Sequence, residues 1–321
     1  MQTLLHLAVI IPCFAVLAWS ADRFVYGAGG LARSLGMSPL LVGLVIVGFG
    51  TSAPELLISA LAAAADNTGL AVGNALGSNI ANIALILGTT ALLIPLTTTS
   101  RESRRELLAL LGATLLVPLL LINGRLDRID GWILLIALLV VIAWLARMNM
   151  KDNKTTAASG SLDVVDLPPA LSLPVALGWI TVGLALLLIS ARLLVWAAVE
   201  LAVAAGVSDL VIGLTIVAAG TSLPELATAI AAARQRQFGM VFGNIIGSNL
   251  FNLLGVLGLA TAIRPAILPA AVLYRDYLIM TLLTLLLAWL MAHRSAVGRG
   301  AAIALLAIYG GYQLMLFWLN A

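Results

Sequence analysis

Two short stretches of this sequence place a glutamate directly after a proline inside a long apolar run. They read GTSAPE, from Gly50 to Glu55, and GTSLPE, from Gly220 to Glu225. A carboxylate beside two hydroxyl side chains offers only oxygen ligands, and hard cations prefer oxygen. The proline removes a backbone hydrogen bond and so releases a carbonyl oxygen in the preceding turn. The two stretches therefore predict an oxygen-lined cation site.

Each glutamate has a threonine four residues before it and a serine three residues before it, so the side chains can share one helix face. The first half thus offers Glu55, Thr51, Ser52 and a freed carbonyl of Gly48 or Phe49, and the second half repeats this with Glu225, Thr221, Ser222 and Ala218.

A second pair of matching stretches, GNALGSNIAN from Gly73 and GNIIGSNLFN from Gly243, adds further hydroxyls and amides. The candidate ligands here are Ser78, Asn82, Ser248 and Asn252. Four other asparagines either hold the helix distortions or touch the ion: Asn74, Asn79, Asn244 and Asn249. Glycines repeat every four residues, at 69, 73 and 77 and again at 239, 243 and 247. They predict a close approach between the two motif-bearing helices of each half.

The composition places all of these groups in a membrane. The chain of 321 residues is 62% apolar and 10% charged, with a mean hydropathy of +1.11. A spanning helix needs about 20 apolar residues, so the length accommodates about ten. The net charge of +3 comes without a basic patch interleaved with aromatics, which favours a lipid bilayer over nucleic acid as partner. Cys13 is the only cysteine, which excludes an internal disulfide.

The motifs repeat because the whole chain repeats. A shift of about 170 residues aligns the sequence with itself. We predict an all-α polytopic membrane protein with about ten transmembrane helices in two five-helix repeats. Five is odd, so the second repeat enters from the opposite side, and the repeats are inverted. The predicted first repeat is 1–150, the linker 151–173 and the second repeat 174–321. The predicted spans are 4–30, 39–66, 70–95, 106–122, 130–147, 174–203, 209–234, 239–263, 276–293 and 299–319.

Lysines and arginines fall mostly in loops on one side if both termini lie outside the cell. The positive-inside rule then predicts that both termini lie outside and that the linker is cytoplasmic. No basic residue precedes the first apolar run, so we interpret it as a retained first span rather than a signal peptide.

Other functions fit less well. An intramembrane hydrolase needs a base beside its serine, and His6 and His293 lie near span ends. A passive channel needs a continuous pore, whereas two inverted halves that close around an oxygen cage favour alternating access. Glu55 and Glu225 together carry a charge near −2, which one calcium ion, two sodium ions or two protons neutralise. No cofactor or obligate protein partner is indicated.

The paired motifs GTSAPE with GNALGSNIAN, and GTSLPE with GNIIGSNLFN, resemble the two alpha-repeats of the calcium/cation antiporter superfamily, in its bacterial sodium/calcium-exchanger-like branch. The resemblance implies that Glu55 and Glu225 bind both calcium and sodium in a bacterial inner membrane. It also implies ten further ligands: the side chains of Thr51, Ser52, Ser78, Asn82, Thr221, Ser222, Ser248 and Asn252 and the carbonyls of Gly48 and Ala218. Asn252 matches a position that some members fill with aspartate, which argues against potassium co-transport. The proton-coupled branch typically has asparagine where this chain has Thr51 or Thr221, so calcium/proton exchange is the alternative to calcium/sodium exchange.

We also expect the first and sixth spans to slide against the other eight.

Overall fold

The computed structural model describes residues 2–97, 104–159, 169–206, 218–268 and 272–320. Within these residues, nine helices are long and apolar enough to cross a membrane. They are Gln2–Leu35, Pro39–Ala64, Thr68–Leu93, Arg104–Asn123, Arg128–Ser159, Leu173–Ala204, Phe238–Ile263, Val272–His293 and Arg299–Asn320. The predicted seventh span, 209–234, lies partly outside the described residues. Its described part comprises the helices Ala218–Thr221 and Leu223–Arg234. All ten are called spans 1 to 10 in chain order.

The bounds differ from the sequence prediction at one long helix. Span 5 was predicted over 130–147, and the helix continues to Ser159, inside the predicted linker. The added residues, KDNKTTAAS, include no glycine or proline, so nothing in them stops a helix that has already formed. Residues 160–168 lie outside the described part of the chain.

Two short antiparallel strand pairs tie one repeat to the other. Strand β1 (Leu96–Thr97) pairs with β4 (Ala296–Val297), and β2 (Arg125–Leu126) pairs with β3 (Ala266–Ile267). The first pair joins the connection after span 3 to the connection after span 9. The second joins the connection after span 4 to the connection after span 8. Exchanging the two repeats converts one pair into the other, as a twofold relation between the repeats requires.

A further match between the repeats lies at the ends of spans 2 and 7. The residues that follow these helices, Asp66 and Arg236, have φ angles of 62° and 56°. Both are non-glycine residues in the left-handed region, which is uncommon. The two turns therefore share one unusual conformation at equivalent positions.

Span 8 lies at the centre of the bundle and span 10 at its edge. In the most apolar window of each helix, 89% of the residues of span 8 are buried, against 17% in span 10. The motif-bearing spans 2 and 3 pack around span 8. The polar motif residues are consequently kept away from lipid.

Spans 1 and 6 pack against each other along most of their length. A methyl group on Gly27 would lie 2.8 Å from the Cβ of Trp179, and one on Gly183 would lie 2.7 Å from the backbone nitrogen of Phe24. Glycine at both positions permits this close approach. The strand pairs tether the connections of spans 3, 4, 5, 8, 9 and 10, and spans 1, 2, 6 and 7 take no part in them.

The glycine repeats do not pack as the sequence suggested. Gly243 and Gly247 of span 8 lie against Leu40 and Leu44 of span 2, in the other repeat, rather than against span 7. Among the described residues, a methyl group on Gly73 would have nothing within 4 Å, and the same holds for Gly77. The prediction that these glycines join neighbouring helices within each repeat is therefore wrong. The close contact is between repeats, and the described residues show it on one side only.

We expect Gly243→Ala to destabilise the protein, because its methyl group would collide with the carbonyl oxygen of Leu40 and lie 2.9 Å from the Leu44 nitrogen. Overpacking of this kind costs about 1–3 kcal/mol. Gly73→Ala, at the equivalent position of the first repeat, should leave stability unchanged or slightly raised, since alanine favours helices. Thermal unfolding in detergent compares the two variants, and equal unfolding midpoints would contradict this packing.

Candidate cation site

The two motif glutamates lie in the interior, at the junction of the two repeats. Only 1% of Glu55 and 2% of Glu225 is exposed. The Ser52 hydroxyl of span 2 donates a hydrogen bond to Oε1 of Glu225 in span 7, at 3.5 Å. The first GTS motif therefore contacts the glutamate of the second motif, which brings both predicted motifs into one site.

A second set of contacts joins span 2 to span 8. The Thr51 hydroxyl donates to the carbonyl of Val47 at 3.0 Å and lies 3.5 Å from Oδ1 of Asn244. The Ser248 hydroxyl donates to the carbonyl of Gly48 at 3.5 Å. A hydroxyl that donates its hydrogen to a carbonyl keeps lone pairs on its oxygen. Both hydroxyls can therefore still act as cation ligands.

Asn74 and Asn244 hold the backbone beneath the two glutamates. The Asn74 side-chain amide donates to the carbonyl of Glu55 at 3.4 Å and to the Ser59 hydroxyl at 2.9 Å. Asn244 does the same in the second repeat, with the carbonyl of Glu225 at 3.3 Å and the Thr228 hydroxyl at 3.2 Å. Of the two roles left open by the sequence, these contacts favour holding the helix.

The other asparagines connect different helices. Asn82 of span 3 donates to Oδ1 of Asn249 in span 8 at 3.0 Å, and so crosses from one repeat to the other. Asn79 donates to the sulfur of Met280 in span 9 at 3.4 Å. These contacts join span 3 of the first repeat to spans 8 and 9 of the second.

Wide helical turns accompany the motifs. The helices are π-helical at Gly43–Val47 in span 2, Ala81–Leu87 in span 3 and Phe251–Val256 in span 8. The first stretch directly precedes Gly48, the second contains Asn82 and the third contains Asn252. Such turns occur often at functional sites, because they redirect side chains and carbonyls. No hydropathy pattern in the sequence marks them.

The two prolines act differently in the two repeats. Pro54 lies inside the helix Gly48–Ala64, which continues past it. Pro224 lies in the first turn of Leu223–Arg234, where a missing N–H costs little. The helix is interrupted just before it, at Ser222, whose φ and ψ are −90° and 4°. The sequence predicted a helix distortion at both prolines, and the interruption occurs in span 7.

Several buried acceptors of the motif residues have no hydrogen-bond partner within the described ranges. They include Oε2 of Glu55, Oε2 of Glu225 and Oδ1 of Asn252. Unsatisfied buried acceptors are costly, and a bound cation satisfies them. The described residues include no cluster of three or more His, Cys, Asp and Glu side chains, so the carboxylates here act with hydroxyls and amides. The residues present therefore fit a hard cation.

The contacts given above join Thr51, Ser52, Glu225, Ser248 and the carbonyl of Gly48, and the predicted ligands as a whole differ in exposure. The buried ones are Thr51, Ser52, Glu55, Ser78, Asn82, Ser222, Glu225, Ser248 and Asn252. Thr221 is half-buried. Gly48 is buried and its carbonyl faces span 8. Ala218 begins the short helix Ala218–Thr221, and its side chain is outside the described part.

Comparison with known proteins agrees with this architecture. The sequence profile of the family described as sodium/calcium exchanger protein matches residues 5–147 and 175–318. Inner membrane protein YrbG of Escherichia coli is 38% identical, over 99% of this chain and 98% of its own. Sodium/calcium exchanger MaX1 of Methanosarcina acetivorans is 27% identical, over 97% of this chain and 98% of its own. A solved structure of the sodium-calcium exchanger NCX_Mj superimposes with a TM-score of 0.82, at 31% identity, over 98% of this chain and 99% of its own.

An inverted-repeat helical bundle with a buried oxygen-rich site defines a secondary transporter of cations. The chain belongs to the sodium/calcium exchanger family. It is an integral membrane antiporter with about ten helices, and it is not an enzyme. The predicted superfamily and fold class are thereby confirmed, and so is the prediction of a cation antiporter.

Proposed function

We propose that this protein exchanges Ca²⁺ for Na⁺ across the membrane, by alternating access to one site formed by Glu55 and Glu225. The observation that carries the proposal is the contact between Ser52 of the first repeat and Glu225 of the second, with one oxygen of each glutamate buried and unpartnered. A single site shared by both repeats can open to either side of the membrane when the repeats exchange conformations.

The proposed ligands are all oxygens. Calcium takes six to eight of them at about 2.3–2.6 Å, from carboxylates, carbonyls, amides and hydroxyls. Sodium is also a hard cation and accepts the same set. We assign the ligand roles to Gly48, Thr51, Ser52, Glu55, Ser78, Asn82, Ala218, Thr221, Ser222, Glu225, Ser248 and Asn252.

Charge balance accounts for exchange without leak. Two buried carboxylates without countercharge are expensive in an apolar bundle. One Ca²⁺ or two Na⁺ neutralise them, so a loaded site can pass through a closed state and an empty one is penalised. Asn252 is neutral, which keeps the count at two carboxylates.

The relatives support sodium as the counter-ion. MaX1 is named a sodium/calcium exchanger, and NCX_Mj, a sodium-calcium exchanger, has been solved after soaking with Na⁺ and with Ca²⁺ or Sr²⁺. The alternative is Ca²⁺/H⁺ exchange at the same site, with protons neutralising the carboxylates.

We further propose that the protein resides in a bacterial inner membrane, as the name of YrbG suggests for that relative, with both termini outside.

Spans 1 and 6 are the proposed moving pair. They pack on each other through Gly27 and Gly183, and no strand pair tethers them to the other helices of the described chain. Spans 3, 4, 5, 8, 9 and 10 are joined across the repeats by the two strand pairs, and spans 3 and 8 also by the bond between Asn82 and Asn249. Spans 2 and 7 are joined to span 8 by the hydrogen bonds of Ser248 and Asn244. Sliding of the pair against this fixed frame would expose the site to one side at a time.

Purified protein in liposomes provides the test. We expect an outward sodium gradient to drive calcium uptake and an imposed pH gradient alone to drive none. Uptake driven only by the pH gradient would show that protons rather than sodium ions are the counter-ion, and the proposed two-glutamate site would stand. Absence of uptake under both gradients, in vesicles shown to hold folded protein, would contradict the proposed exchange.

A further inference from the structure

An arginine without a countercharge lies between the two proposed moving helices. The guanidinium carbon of Arg23 in span 1 is 5.8 Å from the ring centroid of Trp19 and 5.3 Å from that of Trp179 in span 6. The two indole rings themselves meet edge to face, 6.2 Å apart. Arg23 thus has an aromatic ring from each helix of the pair and stands outside the cation site described above.

No acidic side chain in the described part of the chain pairs with Arg23. None of the ion pairs among the described residues includes it, and the adjacent Asp22 is engaged by Arg234 of span 7 at 3.6 Å. Its Nε is buried and has no hydrogen-bond partner among the described residues, while the residue as a whole is half-buried. Contact with aromatic faces is worth about 0.5–2 kcal/mol and supplies no hydrogen bonds. The fork of the guanidinium is therefore free to bind an anion.

Neighbouring contacts place Arg23 at the level where the bundle meets water. Asp22 contacts the last helical residue of span 7, Arg234, and the side chain of Gln235 donates to the Asp22 carbonyl at 3.1 Å. The polar residues that follow span 7 mark the end of its apolar stretch. Trp19 is 43% exposed, as is common for tryptophan at a membrane interface. The anions found at that level are the phosphates of lipid headgroups and phosphate in solution.

We infer that Arg23, with Trp19 and Trp179, binds a phosphate group at the junction of spans 1 and 6. A guanidinium forms two parallel hydrogen bonds with phosphate oxygens, and basic pockets between transmembrane helices bind acidic lipid headgroups. Because the site draws on both helices, a bound phosphodiester would hold the pair together as one unit. The inference does not depend on which cation the central site carries.

Lipid binding to the full-length protein tests this directly. Native mass spectrometry in detergent would count bound phosphatidylglycerol and phosphatidylcholine as each is titrated. We expect wild-type protein to prefer phosphatidylglycerol and Arg23→Gln to weaken its binding about tenfold, the equivalent of losing about 1.4 kcal/mol. Arg192→Gln removes an exposed arginine from span 6 and is the matched control. It should bind phosphatidylglycerol as wild type does.

Inorganic phosphate distinguishes the two sources. If it displaces phosphatidylglycerol from wild-type protein, the site takes phosphate from solution as well. If it does not, the lipid headgroup is the ligand. Equal binding of phosphatidylglycerol by wild type and Arg23→Gln would overturn the inference. If that variant does not fold, Arg23→Lys, which keeps the charge and loses the fork, replaces it, and undiminished binding by Arg23→Lys would overturn the inference equally.

Discussion

Glu55→Gln and Glu225→Gln are each expected to abolish calcium transport. Either change removes half of the charge that the proposed site uses to hold Ca²⁺, while the amide has nearly the same volume as the carboxylic acid. Both side chains are buried and each has an oxygen without a hydrogen-bond partner, so loss of charge rather than loss of packing should dominate. Calcium uptake into liposomes under a sodium gradient measures the effect, with a loss of at least about a hundredfold, equivalent to about 2.8 kcal/mol.

Glu200→Gln provides the matched control. Glu200 lies in span 6 and is exposed, and the same chemical change there should leave uptake near the wild-type rate. Near-normal transport by Glu55→Gln or Glu225→Gln, with the control also active, would remove these residues from the proposed site.

Locking span 1 to the fixed helices is expected to stop transport almost completely. Asp22 of span 1 and Arg234 of span 7 form an ion pair at 3.6 Å, so cysteines at these two positions lie within reach of a short bifunctional thiol reagent. Cys13 would first be replaced by serine. If spans 1 and 6 must slide for the site to change sides, the cross-linked protein is inactive, and reductive cleavage of a disulfide-based reagent restores transport.

A second ion pair supplies the control for the cross-link. Asp66 and Arg264, at 2.6 Å, join the turn after span 2 to the connection after span 8, both within the proposed fixed frame. Cysteines at 66 and 264, joined by the same reagent, should leave transport largely intact. Full activity of the protein cross-linked between 22 and 234 would rule out sliding of span 1 past span 7.

Much of the fold followed from the sequence because a membrane imposes few solutions. Runs of apolar residues long enough to cross a bilayer must be helical, since lipid offers no partner for the backbone. The recurrence of GTSAPE as GTSLPE then showed which spans of the two halves correspond to each other. The predicted bounds came within a few residues for spans 2, 3 and 8. The predicted span 5 is too short. The prediction ended the span where polar residues begin, but those residues favour a helix and the helix continues to Ser159.

The packing partners did not follow from the sequence. Small residues four apart predict a close helix contact, but nothing in the spacing says which helix supplies it. Gly243 meets Leu40 of the other repeat, whereas a methyl group on the equivalent Gly73 would have no neighbour within 4 Å in the part of the chain that the structure describes. The strand pair between β1 and β4 also escaped prediction, because two residues in a strand carry no periodicity.

Within the site, the types of residue were predictable and their contacts were not. A glutamate inside a membrane costs free energy, so its position in the sequence alone already points to a functional site. The bond from Asn74 to the Glu55 carbonyl and the bond between Asn82 and Asn249 depend on helix crossings that the sequence does not specify. The match between the two repeats gave one usable signal. Asn74 and Asn244 occupy equivalent positions, and they make equivalent hydrogen bonds.

Equilibrium binding of calcium to the purified protein, with sodium as competitor, tests the shared two-glutamate site most directly. Equilibrium dialysis with radioactive calcium would give the number of bound ions and the sodium concentration that displaces them. We predict saturable calcium binding that sodium reverses, and loss of that binding in Glu55→Gln and in Glu225→Gln. Calcium binding that persists in both variants, or that sodium does not reduce in wild-type protein, would contradict a site shared by the two ions.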